Sequence, residues 1–108
     1  PQVDVAIHHG GNNSFTECLL FGKPAIIMPF AWDGHDNAMR VQETGHGFRL
    51  SRADWTEAEL AARIDACLHD PALRERVAAT SQCMRVQDGP ARAAQLLAGL
   101  LTRERQRA

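Results

Sequence analysis

Val3-Asp4-Val5-Ala6-Ile7-His8-His9-Gly10-Gly11-Asn12-Asn13-Ser14-Phe15-Thr16-Glu17 is the stretch on which the fold turns. Val3, Val5 and Ile7 alternate with Asp4 and Ala6, the period of a short strand. Gly10 and Gly11 break that period. From Ser14 to Phe21 the apolar residues Phe15, Cys18, Leu19 and Phe21 fall at helical spacing instead. Gly22 then offers a left-handed stop, and Pro24 prevents continuation. Ala25-Ile26-Ile27-Met28 is a continuous apolar run, as in a strand covered on both faces. Beyond the polar loop Ala31-Trp32-Asp33-Gly34-His35, a helix is expected from about His35 to Thr44, stopped by Gly45. Gly47-Phe48-Arg49-Leu50 reads as a third short strand. Residues 1–50 thus follow a βαβαβ order, which predicts an α/β fold with a parallel sheet and flanking helices.

Residues 55–104 read as three helices. Thr56-Glu57-Ala58-Glu59 is a capping box, and Leu60, Ile64, Cys67 and Leu68 line one face behind it. Asp70-Pro71 opens a second helix with a cap and a first-turn proline, buried through Leu73, Val77 and Met84. Asp88-Gly89-Pro90 turns into a third, where Leu96, Leu97, Leu100 and Leu101 form a stripe. The charged tail from Arg103 to Ala108 is expected to fray.

Composition narrows the function classes. With 108 residues, 44% of them hydrophobic, the chain can build one small core. Twelve basic residues against 13 acidic ones leave a net charge of −1, which offers no field to attract nucleic acid or an acidic membrane. Cys18, Cys67 and Cys83 form no CxxC pair, a pattern of reduced thiols that predicts a cytoplasmic setting. Pro24 to Trp32, the longest apolar stretch, is too short to span a bilayer. No initiator methionine precedes the first strand, so the chain reads as a fragment of a longer protein. Sheet edges and the leucine-lined last helix are then candidates for self-association.

The turn after the first strand carries the most chemistry. In an open α/β sheet ligands bind at the carboxyl ends of the strands. Glycines there let a ligand approach the backbone, and free N–H groups at a helix start favour an anion, usually a phosphate. Asn13, Ser14 and His9 can add donors to the same anion. The pattern is neither GxGxxG nor a Walker loop, because Gly22-Lys23-Pro24 lacks the magnesium-holding hydroxyl and follows a helix. A second cluster, Trp32-Asp33-Gly34-His35-Asp36-Asn37, follows the next strand, and a carboxylate there can accept hydrogen bonds from sugar hydroxyls. Plainer roles compete throughout. Ser14 to Glu17 also fits a capping box, and Asp33 fits a simple helix cap. Phe30 and Trp32 read as packing residues. His8, His9, His35 and Asp36 invite a metal phosphohydrolase reading, which the strands and the opposed faces of His8 and His9 argue against.

His9-Gly10-Gly11-Asn12-Asn13-Ser14-Phe15-Thr16-Glu17, with Gly22-Lys23-Pro24, Pro29, Asp33 and Asn37-Ala38, resembles the donor-binding signature of UDP-glycosyltransferases of family GT1. These are GT-B fold enzymes, and the resemblance implies the C-terminal, Rossmann-like donor-binding part. It also implies a parent that transfers a hexose-type sugar from a nucleotide diphosphate sugar, of UDP or dTDP type, to a small hydroxylated acceptor with inversion. His9, Gly10, Gly11, Asn13 and Ser14 would hold the donor diphosphate, Glu17 the ribose, and Asp33 with Gly34 the donor sugar. Family members usually carry glutamine where Gly34 stands, so the sugar contact departs from the pattern. No metal would be obligatory. The catalytic base and the acceptor site would lie in an N-terminal domain outside these residues, leaving this fragment inactive alone. The alternative is a non-catalytic nucleotide-sugar-binding or assembly module of the same fold. The donor-binding reading has two adjacent loops, each leaving the end of a parallel strand, jointly grip a pyrophosphate-linked sugar, which requires His9, Asn13, Glu17 and Asp33 to share one concave face.

Overall fold

Ala25, Ile26 and Ile27 are all buried, and they form the middle strand of a three-stranded parallel sheet. The computed structural model describes residues 2–107 of the chain, with side chains described for 2–103. Its elements run β1 (Ala6–His8), α1 (Asn12–Leu20), β2 (Ala25–Ile27), α2 (Asp33–Thr44) and β3 (Gly47–Arg49), followed by α3 (Glu57–His69), α4 (Pro71–Gln87) and α5 (Gly89–Arg107). The strands lie in the order β1-β2-β3, with Ala6, Ala25 and Gly47 side by side. Successive residues of β2 point to opposite faces, which splits the core in two. Ala25 and Ile27 pack with Ala38 and Val41 of α2 and with Phe15 and Cys18 of α1. Ile26 packs with Leu50, Cys67, Phe48, Leu60 and Ile64 on the α3 side. The expectation of a strand covered on both faces holds.

Both sheet-side helices end in a Schellman motif, in which a left-handed residue lets two later N–H groups reach back to orphan carbonyls. At the end of α1 Gly22 sits at φ +67°, with Gly22 N–H bonded to Leu19 O at 3.2 Å and Lys23 N–H to Cys18 O at 2.8 Å. Gly45 plays the same part for α2 at φ +75°. The Leu20 carbonyl is taken up by α4, through Ser81 Oγ at 2.5 Å and Arg85 Nε at 3.2 Å. The far end of α1 is thereby anchored, which steadies its N-terminus. Thr56 and Asp70 cap α3 and α4 through their side chains, and Pro71 is the first residue of α4.

Several boundaries differ from expectation. β1 starts at Ala6 rather than Val3, because β2 offers partners only to Ala6–His8, and Val3 and Ile7 are half exposed on this edge strand. α1 starts at Asn12 rather than Ser14. Its N-cap is Gly11 and makes no side-chain cap bond, so the Ser14–Glu17 capping box does not form. Ser14 lies inside the first turn, and the two glycines alone make the break between strand and helix. α2 likewise starts two residues early, at Asp33. The tail expected to fray stays helical through Arg107; Pro1 and Ala108 lie outside the described residues. Leu96, Leu97, Leu100 and Leu101 remain exposed along α5. Among the described residues no helix is long and apolar enough to cross a membrane.

Candidate functional site

β1 and β2 end side by side, and the loops that leave them touch backbone to backbone. A Cβ placed on Gly10 would come within 2.8 Å of the Gly34 backbone and 2.9 Å of Ile27 Cγ2, while Gly10 itself sits at φ +94°. Conversely, a Cβ on Gly34 would meet the His9 carbonyl oxygen at 2.5 Å. Only glycine fits at either position without moving main chain. Gly34 is buried and its N–H is bonded to Ala31 O at 3.1 Å, so it seats the second loop against the first. The departure from the family's glutamine thus has a packing cause in this chain.

The first loop is fixed from inside. Gly10 N–H donates to His8 Nδ1 at 3.0 Å. Asn37, only 6% exposed in α2, donates through Nδ2 to Gly10 O at 2.6 Å and to Asn12 Oδ1 at 3.0 Å. His8 therefore accepts at Nδ1, which puts its proton on Nε2 in the neutral ring. Burial, and secondarily the neighbouring His9, holds the His8 pKa below its ordinary 6.5. Its Nε2 is buried without a hydrogen-bond partner among the described residues. His9 points the other way and is exposed, with its ring over the loop: a Cβ on Gly11 would sit 2.9 Å from His9 Cε1. Glycine at position 11 is what lets the imidazole lie there.

His9, Asn13, Glu17 and Asp33 do not line a single hollow. His9 borders one of about 670 Å³, with Ile7, His8, Met28, Phe30, Arg52 and Trp55. Ser14 and Glu17 border another of about 270 Å³ beside α1, with Ala6, His8, Cys18 and Phe21 among its walls. The hollows meet at His8. Asn13 and Asp33 line neither; both are exposed, at the first turns of α1 and α2 respectively. Asp33 does not cap its helix through its side chain, which corrects that simple reading. Phe30 and Trp32 are 68% and 92% exposed, so they are not packing residues either. Trp32 also holds a positive φ of 55°, and the Arg52 guanidinium lies 4.1 Å over the Phe30 ring. No three or more His, Cys, Asp or Glu side chains come together as a metal would require among the described residues.

Sequence reasoning gave Asn37 no role, although it stood in the quoted motif; its burial beside an orphan carbonyl is not readable without the fold. Phe30, Arg52 and Trp55 were missed as a group because they come from two separate loops.

A parallel sheet whose first βα turn is built on paired glycines, braced by the loop after the next strand, is the α/β architecture of the GT-B glycosyltransferases. The chain belongs to the family described as erythromycin biosynthesis protein CIII-like, C-terminal domain, whose model matches residues 1–100. It is 33% identical over 91 residues to a 3-alpha-mycarosylerythronolide B desosaminyl transferase of Saccharopolyspora erythraea, covering 84% of this chain and 22% of that protein. It is 29% identical over 107 residues to an aklavinone 7-beta-L-rhodosaminyltransferase of Streptomyces galilaeus, covering 99% of this chain and 24% of that one. Among solved structures, a glycotransferase of kitacinnamycin superposes with a TM-score of 0.83 at 34% identity, over 90% of this chain and 25% of the other. The chain therefore spans about a quarter of the length of these relatives.

Proposed function

We propose that this chain is the donor-binding part of a glycosyltransferase that moves a hexose-type sugar from a nucleotide diphosphate sugar to a small hydroxylated acceptor. The observation that carries the reading is the first loop, where Gly10 gives its N–H to His8 and leaves the Gly11 backbone and the helix start for an anion, with His9, Asn13 and Ser14 beside them. In an inverting transfer the acceptor oxygen attacks the anomeric carbon as the bond to the diphosphate breaks. The electron pair of that bond leaves on the diphosphate. Unbonded N–H groups at the start of α1 stabilise the charge as it forms. His9 adds a donor from the side of the larger hollow, and this charge stabilisation makes a metal unnecessary.

Glu17, on the hollow beside α1, is assigned the ribose hydroxyls, and Asp33 the donor sugar. Because Gly34 is buried, the sugar contact at the second loop rests on Asp33 and its exposed neighbours. Gly34 is the feature that would favour a non-catalytic module, and its packing against the first loop gives it a cause other than lost catalysis. On this reading the donor is of UDP or dTDP type. The base that deprotonates the acceptor, and the acceptor site itself, are placed in another domain of the full-length protein. The family relatives named above, a desosaminyl and a rhodosaminyl transferase, support sugar transfer as the reaction class.

The test is release of nucleoside diphosphate by the full-length protein carrying His9→Ala or Asn13→Ala. Turnover is expected to drop by about tenfold or more, the worth of a donor to a charged group. Undiminished turnover in both variants removes the assigned role.

A further inference from the structure

Both polar groups of Gly10 are consumed inside the protein: its N–H by His8 Nδ1 and its C=O by Asn37 Nδ2. The second bond has a consequence for the next residue. The Gly10–Gly11 peptide is trans, so its C=O and N–H point in opposite directions. Drawing the Gly10 carbonyl inward, toward α2, turns the Gly11 N–H outward toward the start of α1. A glycine pair has little stiffness of its own, and without a tether this peptide could rotate at small cost. The direction of Asn37 is not open to an amide flip, because Gly10 O can only accept and so must face the Nδ2 group.

We propose that Asn37 is a positioning residue for the diphosphate: by holding the Gly10 carbonyl it aims the Gly11 N–H, and with it the first turn of α1, at the anion. This rests on the reading of the first loop as the diphosphate site. Asn37 touches neither substrate nor reacting atoms and acts through the peptide it holds. Its second hydrogen bond, to Asn12 Oδ1, ties the first helical residue to the same anchor. Helix α2 therefore presets the anion site of the loop after β1, by way of a buried amide that reaches across from its second turn.

The experiment compares the full-length protein with its Asn37→Asp variant, which keeps the shape but sets a carboxylate oxygen against the Gly10 carbonyl. Dissociation constants are measured by calorimetry for uridine and uridine 5′-diphosphate, and for the thymidine pair. The quantity read is the nucleoside-to-diphosphate ratio for the pair that binds. Loss of one well-aimed donor to a charged group is expected to lower that ratio about tenfold to a hundredfold, with nucleoside affinity unchanged. A variant that weakens both ligands in proportion, or keeps the wild-type ratio, overturns the assignment. Wild-type protein that does not prefer the diphosphate removes the site reading beneath it, which is a separate failure. Should Asn37→Asp not fold, Asn37→Ser removes the reach to Gly10 O without adding charge and is read by the same ratio.

Discussion

The two loops at the sheet's carboxyl edge are built on opposite principles. In the loop after β1 the backbone does the work: Gly10 is buried, its two polar groups are bonded inward, and the side chain of Asn37 holds it from behind. In the loop after β2 the side chains face out: Phe30 and Trp32 are mostly exposed, and Asp33 opens a helix it does not cap. Pro29 and Gly34 are buried there, and Gly34 is committed to the other loop. The diphosphate is common to all nucleotide diphosphate sugars, so a rigid main-chain cradle suits it. Sugars and acceptors differ, and exposed side chains can change without disturbing the sheet. On the proposed reading, the first loop is fixed and the second adjustable.

The largest effect should come from breaking the fixed loop. Gly10→Ala adds a methyl at a positive φ and against the Gly34 main chain, and is expected to cost about 2–4 kcal/mol in a denaturant titration. A change under 0.5 kcal/mol, the size of an ordinary surface substitution, would mean the loops are not pressed together. Next is Gly34→Gln, which restores the family's residue. Against the His9 carbonyl it is expected to weaken diphosphate binding and lower stability by about 1–3 kcal/mol. Improved transfer in that variant would show that the glycine is a loss rather than a fit.

Trp32→Gly should move the other way in stability. Relief of the positive φ is expected to add about 0.5–1 kcal/mol, while sugar transfer declines because the exposed ring is gone. Equal or better transfer would leave the strained tryptophan without a purpose. The smallest effect concerns pH. Because the His8 pKa is held below 6.5 in the folded chain, the unfolded state takes up a proton first on acidification. Stability is therefore expected to fall as pH drops below 6.5, and to level off below the folded value. His46, also lowered by burial, contributes with the same sign, so His8→Asn should remove only part of the slope. An unchanged slope in that variant would contradict the neutral, Nδ1-accepting ring.

Much of this architecture was legible in the residues. The apolar run Ala25 to Met28 could be little else than a covered strand, and Gly22 and Gly45 stopped their helices where expected. The caps of α3 and α4 stand where expected, but the starts of α1 and α2 were placed less well, because Asn12, Asn13 and Asp33 read as loop while the glycine turn and the early start of α2 absorb them into first turns. His9, Ser14 and Glu17 do sit around the end of β1, yet on two hollows rather than one concave face. His8 stands between the two hollows, with His9 and the loop after β2 on one side and Ser14 and Glu17 of α1 on the other, an arrangement that sequence spacing cannot convert into walls of a cavity. Asn37 and Gly34 escaped because their roles are contacts between loops 20 or more residues apart, and nothing local encodes them.

Amide resonances offer the sharpest trial of the fixed loop. With the full-length protein labelled at glycine and asparagine nitrogen, titration with the nucleoside diphosphate should shift the Gly11, Asn12 and Asn13 amides most, as new hydrogen bonds to phosphate form. Shifts confined to other residues, with those three amides unmoved at saturation, would mean that the anion is bound elsewhere.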